Sequence, residues 1–217
     1  MHIWKYTDFR VFLQIKTDNM NTSLEIKHQE SFIDWCLFFL KHDDVSAKVK
    51  DTSIEDVVTK LCPPGTLEHQ KVKAIFNWVC HNIEYDLEAL KNTKLRSTDP
   101  AEIFKRRKGV CSGYSCLFEE MCRVAGLECV QISGGCGENK IKGKSRHSWN
   151  AVRINKEWKL LDPTWAAGYV NSDRTKFFFK YDEKYFLTDP KVFIEDHFPD
   201  DSKWTLLPET YQVARGA

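Results

Sequence analysis

No stretch of this chain is apolar for long enough to cross a membrane as a helix. Its first residues, Met1-His2-Ile3-Trp4-Lys5-Tyr6, lack the continuous apolar core of a secretory signal. Charge of one sign is missing too: 32 Lys+Arg stand against 31 Asp+Glu, a formal net charge of +1. That balance argues against a general nucleic-acid or membrane-surface partner. There is no internal repeat, no Pro- or Gly-rich linker and no CxxC pair. The missing CxxC pairs leave a structural zinc site little support, because such sites are built on closely spaced cysteines.

What is present is a 217-residue chain, long enough for one domain with a substantial core. Its 8 cysteines lie at 36, 62, 80, 111, 116, 122, 129 and 136. Cys36, Cys80 and Cys122 sit within apolar helical patterns, where buried free thiols are the usual reading. A core of this size does not need disulfides. The expectation is therefore mostly reduced thiols and a cytoplasmic location. Nothing in the sequence excludes its being part of a longer protein.

Residues 1–50 read as an N-terminal extension. Phe9, Val11, Leu13 and Ile15 alternate with polar residues, and a turn near Asp18-Asn19 leads to Leu24 and Ile26, as in a hairpin. Ser31 to Lys41 reads as a buried helix. From 51 to 207 the pattern is helices first and strands later, which is α+β organisation. Ser53-Ile54-Glu55-Asp56 opens a helix to Cys62, and Pro63-Pro64-Gly65 stops it. Thr66 is expected to cap a long helix with Val72, Ile75, Phe76, Val79 and Ile83 on one stripe. Residues 87–97 read as a polar loop. Thr98-Asp99-Pro100 starts a short basic helix that Gly109 breaks. Leu117, Phe118, Met121 and Ala125 then mark a buried helix that Gly126 stops. Strands are expected at Cys129–Ser133, at His147–Ile154 and at Trp158–Leu161, with a tight turn at Asn155-Lys156. Residues 134–145 read as a loop, Tyr185-Phe186-Leu187 as strand-like, and Pro190 as opening a helix that runs to His197. Residues 208–217 form a tail.

Cys111 falls in the first turn of the helix after Gly109. That end carries unpaired backbone N–H groups and about half a positive charge, which favours a thiolate. A thiolate nucleophile needs a base and a group to orient that base. His147 opens one strand and Asp162 closes the next, so an antiparallel hairpin sets them side by side. Asn150 is the rival for the orienting role, but strand alternation turns it away from the His147 face. Trp149 and Trp165 would then wall the site, although a tryptophan beside a sheet is more often plain core. Cys116 lies about 140° round the helix from Cys111 and reads as core. His69 and His81 read as polar surface. Lys105-Arg106-Arg107-Lys108 reads as a solvated cluster that compensates a helix dipole.

Gly109-Val110-Cys111-Ser112-Gly113-Tyr114, His147-Ser148-Trp149 and Leu161-Asp162-Pro163-Thr164-Trp165 resemble the three motifs of the transglutaminase-like superfamily. The helix Ile75-Phe76-Asn77-Trp78-Val79 with Ile83-Glu84-Tyr85-Asp86 is similar to the one before the cysteine in that family. Tyr185 to Pro190, with His197-Phe198-Pro199 and Trp204, resembles its kyphoscoliosis-peptidase and cytokinesis-protein branch. The resemblance implies a papain-like α+β fold over residues 51–207 and a catalytic triad of Cys111 as nucleophile, His147 as base and Asp162 as orienter. It implies no cofactor and no metal: the family's calcium-binding segments are not evident. The family's oxyanion tryptophan does not align, which leaves the Cys111 backbone N–H and Tyr85 as candidate donors.

The implied chemistry is attack on a peptide or side-chain amide, with a thioacyl intermediate resolved by water or by an amine. Hydrolysis is the expectation, since the motifs agree best with the peptidase-like branch. The partner is then a protein or peptide substrate. A rival reading is an idle interaction module with a cytoskeletal partner. A deglycosylating amidase is a third, disfavoured because such enzymes carry the paired CxxC motifs that are missing here.

Overall fold

The structure is a computed structural model that describes residues 52–137 and 145–208. The expected hairpin and helix within residues 1–51, residues 138–144 and the tail from 209 onward lie outside the described residues.

The chain begins with α1 (Ile54–Leu61), whose cap Ser53 accepts from the Asp56 N–H at 3.1 Å. It continues with the central α2 (Glu68–Asn82). This helix begins after Leu67 rather than at Thr66: the Thr66 hydroxyl turns back to Pro63 O, and the Gln70 side chain takes the Leu67 N–H at 3.0 Å. Val72, Ile75, Phe76, Trp78 and Val79 of α2 are fully buried. Next comes β1 (Glu84–Tyr85), and then α3 (Leu87–Lys91) within the 87–97 stretch expected as a polar loop. Asp86 caps α3 by accepting from Ala89 N–H at 2.9 Å, so a short helix forms in a segment with little apolar periodicity. A 3₁₀ turn, Thr93–Leu95, follows.

Asp99 and Pro100 start α4 (Pro100–Arg106), and β2 (Lys108–Gly109) pairs in parallel with β1. The basic cluster at this helix end is not simply solvated. Arg106 Nη2 lies 2.7 Å from the buried Asp86 Oδ2. The Arg107 guanidinium lies over Phe104 and Trp78, 4.0 and 4.6 Å from the ring centroids.

α5 (Cys111–Val124) buries Leu117, Phe118, Met121 and Cys122. Gly113 lets α4 approach closely, since a Cβ there would lie 2.8 Å from Ile103 Cδ1. β3 (Cys129–Cys136), β4 (Ser145–Ile154) and β5 (Glu157–Leu161) follow, and Asn155 and Lys156, at φ 50° and 70°, make the tight β4–β5 turn. β3 reaches three residues into the expected 134–145 loop: Gly134, Gly135 and Cys136 pair with β4, which itself begins early at Ser145, and on the other side with a strand far along the chain.

The rest comprises α6 (Pro163–Ala167), the hairpin β6 (Gly168–Val170) with β7 (Phe177–Phe179), α7 (Pro190–Phe193) and β8 (His197–Pro199). Two departures lie here. Glu183–Tyr185 is a 3₁₀ turn, and Leu187 at φ 48° breaks the expected strand. The helix from Pro190 stops at Phe193, and His197 belongs to a strand instead.

The main sheet runs β5-β4-β3-β8, all antiparallel. α5 packs on β3 and β4, with α2 and α4 against its other sides. This is the expected α+β arrangement, with the cysteine-bearing helix against the sheet. The seven described cysteines are free thiols. Among the described residues, no helix is long and apolar enough to cross a membrane.

Candidate active site

Cys111 is the first residue of α5, and its cap residue Val110 supplies no capping side chain. No capping side chain therefore takes a first-turn N–H group, although the Gly113 N–H bonds back to Val110 O at 2.8 Å. Two contacts hold this turn in place. Tyr114 OH donates to Ile83 O at the end of α2. From β3, Gln131 Nε2 donates to Ser115 Oγ at 2.6 Å and Ser112 O at 3.3 Å. Gln131 carries no motif signal, and only the packing of α5 on β3 reveals its part.

His147, 6% exposed, lies opposite Gly134 in the β3–β4 ladder. The β4–β5 ladder ends at Asn150 opposite Leu161, so Asp162 leaves the sheet just beyond it. Asp162 is fully buried and caps α6: its Oδ1 accepts from Thr164 N–H at 2.8 Å and from Trp165 N–H at 3.2 Å. Its Oδ2 lies 2.7 Å from His147 Nε2. With Nε2 so engaged, Nδ1 is the ring nitrogen left for the thiol. Asn150 points to the other face, where its Nδ2 donates to Ser115 O at 3.0 Å and to Val130 O at 3.3 Å.

The charges agree with this layout. Burial works against a Cys111 thiolate, but the hydrogen bond and charge of His147 and the Ser148 N–H more than offset it, so the thiol titrates below its ordinary value. Burial opposes charge on His147 as well, yet Asp162 and Cys111 raise it to about 10. Asp162 is fully buried but is held far below the carboxylate range by the two imidazoles that face it.

A cavity of about 180 Å³ opens onto Cys111 and His147, lined also by Tyr85, Leu90, Arg96, Ser133 and Arg146. Burial, with Cys111 nearby, pushes the Tyr85 phenol up to about 12, so it remains a hydrogen-bond donor at neutral pH. Trp149 and Trp165 do not line this cavity. Trp149 is 0% exposed and packs among Ile132, Ala151, Leu160 and Phe193 as core beneath the site. Trp165 stacks on the His147 ring, 5.1 Å between centroids. Cys116 is half-buried, bonded to Gln131 Oε1 at 3.5 Å, and its thiol is pushed up by burial. A larger and more open cleft, about 780 Å³, lies between Ile54, Phe104 and Glu120. It has no nucleophile–base pair on its walls, so the smaller cavity is the one with chemistry.

His147, Asp162 and His197 form the one described cluster whose donor atoms lie close enough together to hold a metal ion. Both imidazole Nε2 atoms are directed at the same carboxylate oxygen, at 2.7 and 3.1 Å. An ion there would have to break both bonds, so the cluster reads as a hydrogen-bond network. His197 was given no role by its spacing; it reaches the site only through the β3–β8 pairing.

A cysteine at a helix N-terminus, packed on an antiparallel sheet that brings up a histidine and an aspartate, defines the papain-like α+β class. Within that class the family model of the transglutaminase-like superfamily matches residues 55–163, and the chain belongs to this superfamily. It is 42% identical over 176 residues to mouse kyphoscoliosis peptidase, covering 78% of this chain and 27% of that protein. It is 29% identical over 179 residues to Drosophila melanogaster Hillarin, covering 74% of this chain and 22% of that protein. The chain thus spans about a quarter of the length of these relatives. Among solved structures it is similar to a "TGase" at 21% identity and a TM-score of 0.42, over 82% of this chain and 41% of that one.

Proposed function

We propose that this domain is a thiol enzyme acting on amide carbonyls, with Cys111 as nucleophile, His147 as general base and acid, and Asp162 orienting His147. The observation that carries the reading is the buried 2.7 Å bond from His147 Nε2 to Asp162, beside a thiol that His147 holds below its ordinary value. His147 takes the Cys111 proton, and the thiolate attacks the carbonyl carbon. The oxyanion lies against the Cys111 backbone N–H, with the Tyr85 phenol as second donor. His147 returns its proton to the departing nitrogen, leaving a thioacyl group on Cys111. It then takes a proton from water, whose oxygen adds to the thioester; the products are a carboxylic acid and the free thiol.

Hydrolysis is favoured over transfer to an amine because the relatives at 42% and 40% identity are named peptidases. The protein is incubated with glutamine-containing peptides, with and without a primary amine, and the products are weighed by mass spectrometry. Chain cleavage or a +1 Da deamidation, lost in Cys111→Ala, is the expected result. Amine incorporation lost in the same variant would replace hydrolysis by acyl transfer. Unchanged peptides, together with a Cys111 that alkylates like an ordinary thiol, would leave the domain an interaction module.

A further inference from the structure

Asp162 takes four donors, and the mechanism above uses only one side chain among them. Oδ1 holds two backbone N–H groups, while Oδ2 faces both His147 and His197, the latter at 3.1 Å. His197 opens β8 and is 0% exposed. Phe193 stacks on its ring at 4.0 Å, Trp165 lies at 4.5 Å, and Trp149 presents an edge at 5.0 Å. Its other nitrogen, Nδ1, is 2.6 Å from Asp196 Oδ1. Asp196 is paired in turn with Lys184 at 3.3 Å. Both ring nitrogens thus lie within hydrogen-bond distance of carboxylate oxygens. Across the ladder from His197 stands the Cys136 thiol, and Tyr185 lies 6.1 Å from it, ring to ring.

A polar ring sunk this deep among aromatics is costly unless its nitrogens are bonded, and a smaller apolar side chain would fill the space without that cost. The two backbone bonds converge on Oδ1 alone, and because both oxygens turn together about the Cβ–Cγ axis, they leave the carboxylate plane room to rock. A donor arriving from β8 removes that freedom. We propose that His197 is a positioning residue: clamped by Asp196, it pins Asp162 Oδ2 so that the His147 Nε2–H has one acceptor site and Nδ1 is turned to Cys111. The proposal rests on Cys111, His147 and Asp162 working together as stated above.

The test is the rate of Cys111 alkylation by iodoacetamide as a function of pH, in the folded chain. In His197→Phe the acid limb moves up by about one pH unit, since the base is less well held against the thiol. His197→Gln, whose amide N–H can reach Oδ2, recovers most of the wild-type limb. Met121→Ala, a core truncation elsewhere on α5, lowers the melting temperature but leaves the limb in place. An unmoved limb in folded His197→Phe overturns the proposal, as does an equal displacement in Met121→Ala. If His197→Phe does not fold, His197→Asn decides: its amide is too short to reach Oδ2, and an unmoved limb overturns the proposal. A wild-type limb at the ordinary thiol position, indifferent to His147→Ala, sinks the triad reading itself. A wild-type limb that depends on His147 but not on His197 sinks only the role of His197.

Discussion

His147 and Asp162, fifteen residues apart in sequence, meet Nε2 to Oδ2 at 2.7 Å in a place closed to water. The bond makes the imidazole a stronger base on its other nitrogen and fixes the direction in which that nitrogen points. Its effect is read at the thiol. Alkylation of Cys111 should proceed below the ordinary thiol value of about 8.5. His147→Ala should return the rate profile to that value and cost turnover about 10²- to 10⁴-fold, the range for a positioned general base. A His147→Ala variant with wild-type alkylation below pH 7 would count against the assignment.

The other described cysteines offer an internal control. Burial is the first cause raising Cys136 to about 11, with Asp162, Cys111 and Asp196 adding to it. Burial likewise raises Cys62 to about 11 and lifts Cys80 and Cys122 well above the usual value. Brief treatment with iodoacetamide at pH 6.5, followed by peptide mapping, should place the label at Cys111 ahead of these four. Equal labelling at Cys136, which is half-buried, would mean that exposure, rather than the field of His147, decides reactivity.

Asn150 is fully buried and bonded to backbone carbonyls of α5 and β3, on the face of β4 away from His147. Asn150→Ala should therefore weaken the seam between helix and sheet by about 1–3 kcal/mol, as for other buried hydrogen-bonding groups that lose a partner. Denaturant melts give that figure. The alkylation profile of Cys111 should stay where it is, and a displaced profile would restore Asn150 as a rival to Asp162.

These residues differ in how legible they were. Cys111 announces itself by a glycine break before a helical apolar face, and His147 and Asp162 by the pleat and the turn between their strands. All of those are local signals. His197 has none. It reaches Asp162 because β8 pairs with β3 across more than sixty residues of chain, and alternation within a strand does not say which strand lies next to it. The same pairing, together with that of β4, carries β3 through Gly134-Gly135-Cys136, residues that read as a loop by composition. Trp149 failed for a related reason. Facing the same way as His147 places it in the same layer, but β3, β5 and Phe193 cover it completely. Arg107, inside a run of basic residues, read as solvated, yet its left-handed backbone at φ 55° lays it on Trp78 and Phe104.

Gly134 is where the β3–β8 pairing is most exacting. A Cβ there would come within 2.2 Å of Phe198 O, 2.5 Å of Trp149 Cη2 and 2.8 Å of Pro199 Cα. Two of these are backbone atoms of β8, so the strand has to move for alanine to fit. Gly134→Ala should cost about 1–3 kcal/mol by overpacking. It should also displace His197 from Asp162, so thermal stability and the Cys111 alkylation profile should change together. A loss of stability with an unaltered profile would mean that β8 adjusts without carrying His197 with it.

The last prediction concerns stability against pH, where His147 and Cys111 act in opposite senses. His147 keeps its proton up to about 10 in the folded chain, whereas the unfolded chain releases it near pH 6.5. Its contribution is complete below the unfolded value and is lost as pH rises through the folded one. Cys111 titrates lower when folded than when unfolded. Its contribution is present above the unfolded value of about 8.5 and is lost as pH falls through the folded one. Between the lowered Cys111 value and about 8.5 the two slopes offset each other in the wild type. Cys111→Ser removes one of them and leaves His147 facing Asp162, so its stability should decline continuously with pH across that window. Cys111→Ser with His147→Gln should be flat there by comparison. Cys136, which Cys111 helps to raise, stays protonated in the folded chain across this window, so differences between the urea midpoints of the three proteins, taken from pH 6.5 to about 8.5, isolate the pair. Parallel curves for the wild type and Cys111→Ser would mean that the Cys111 thiol is not held below its ordinary value.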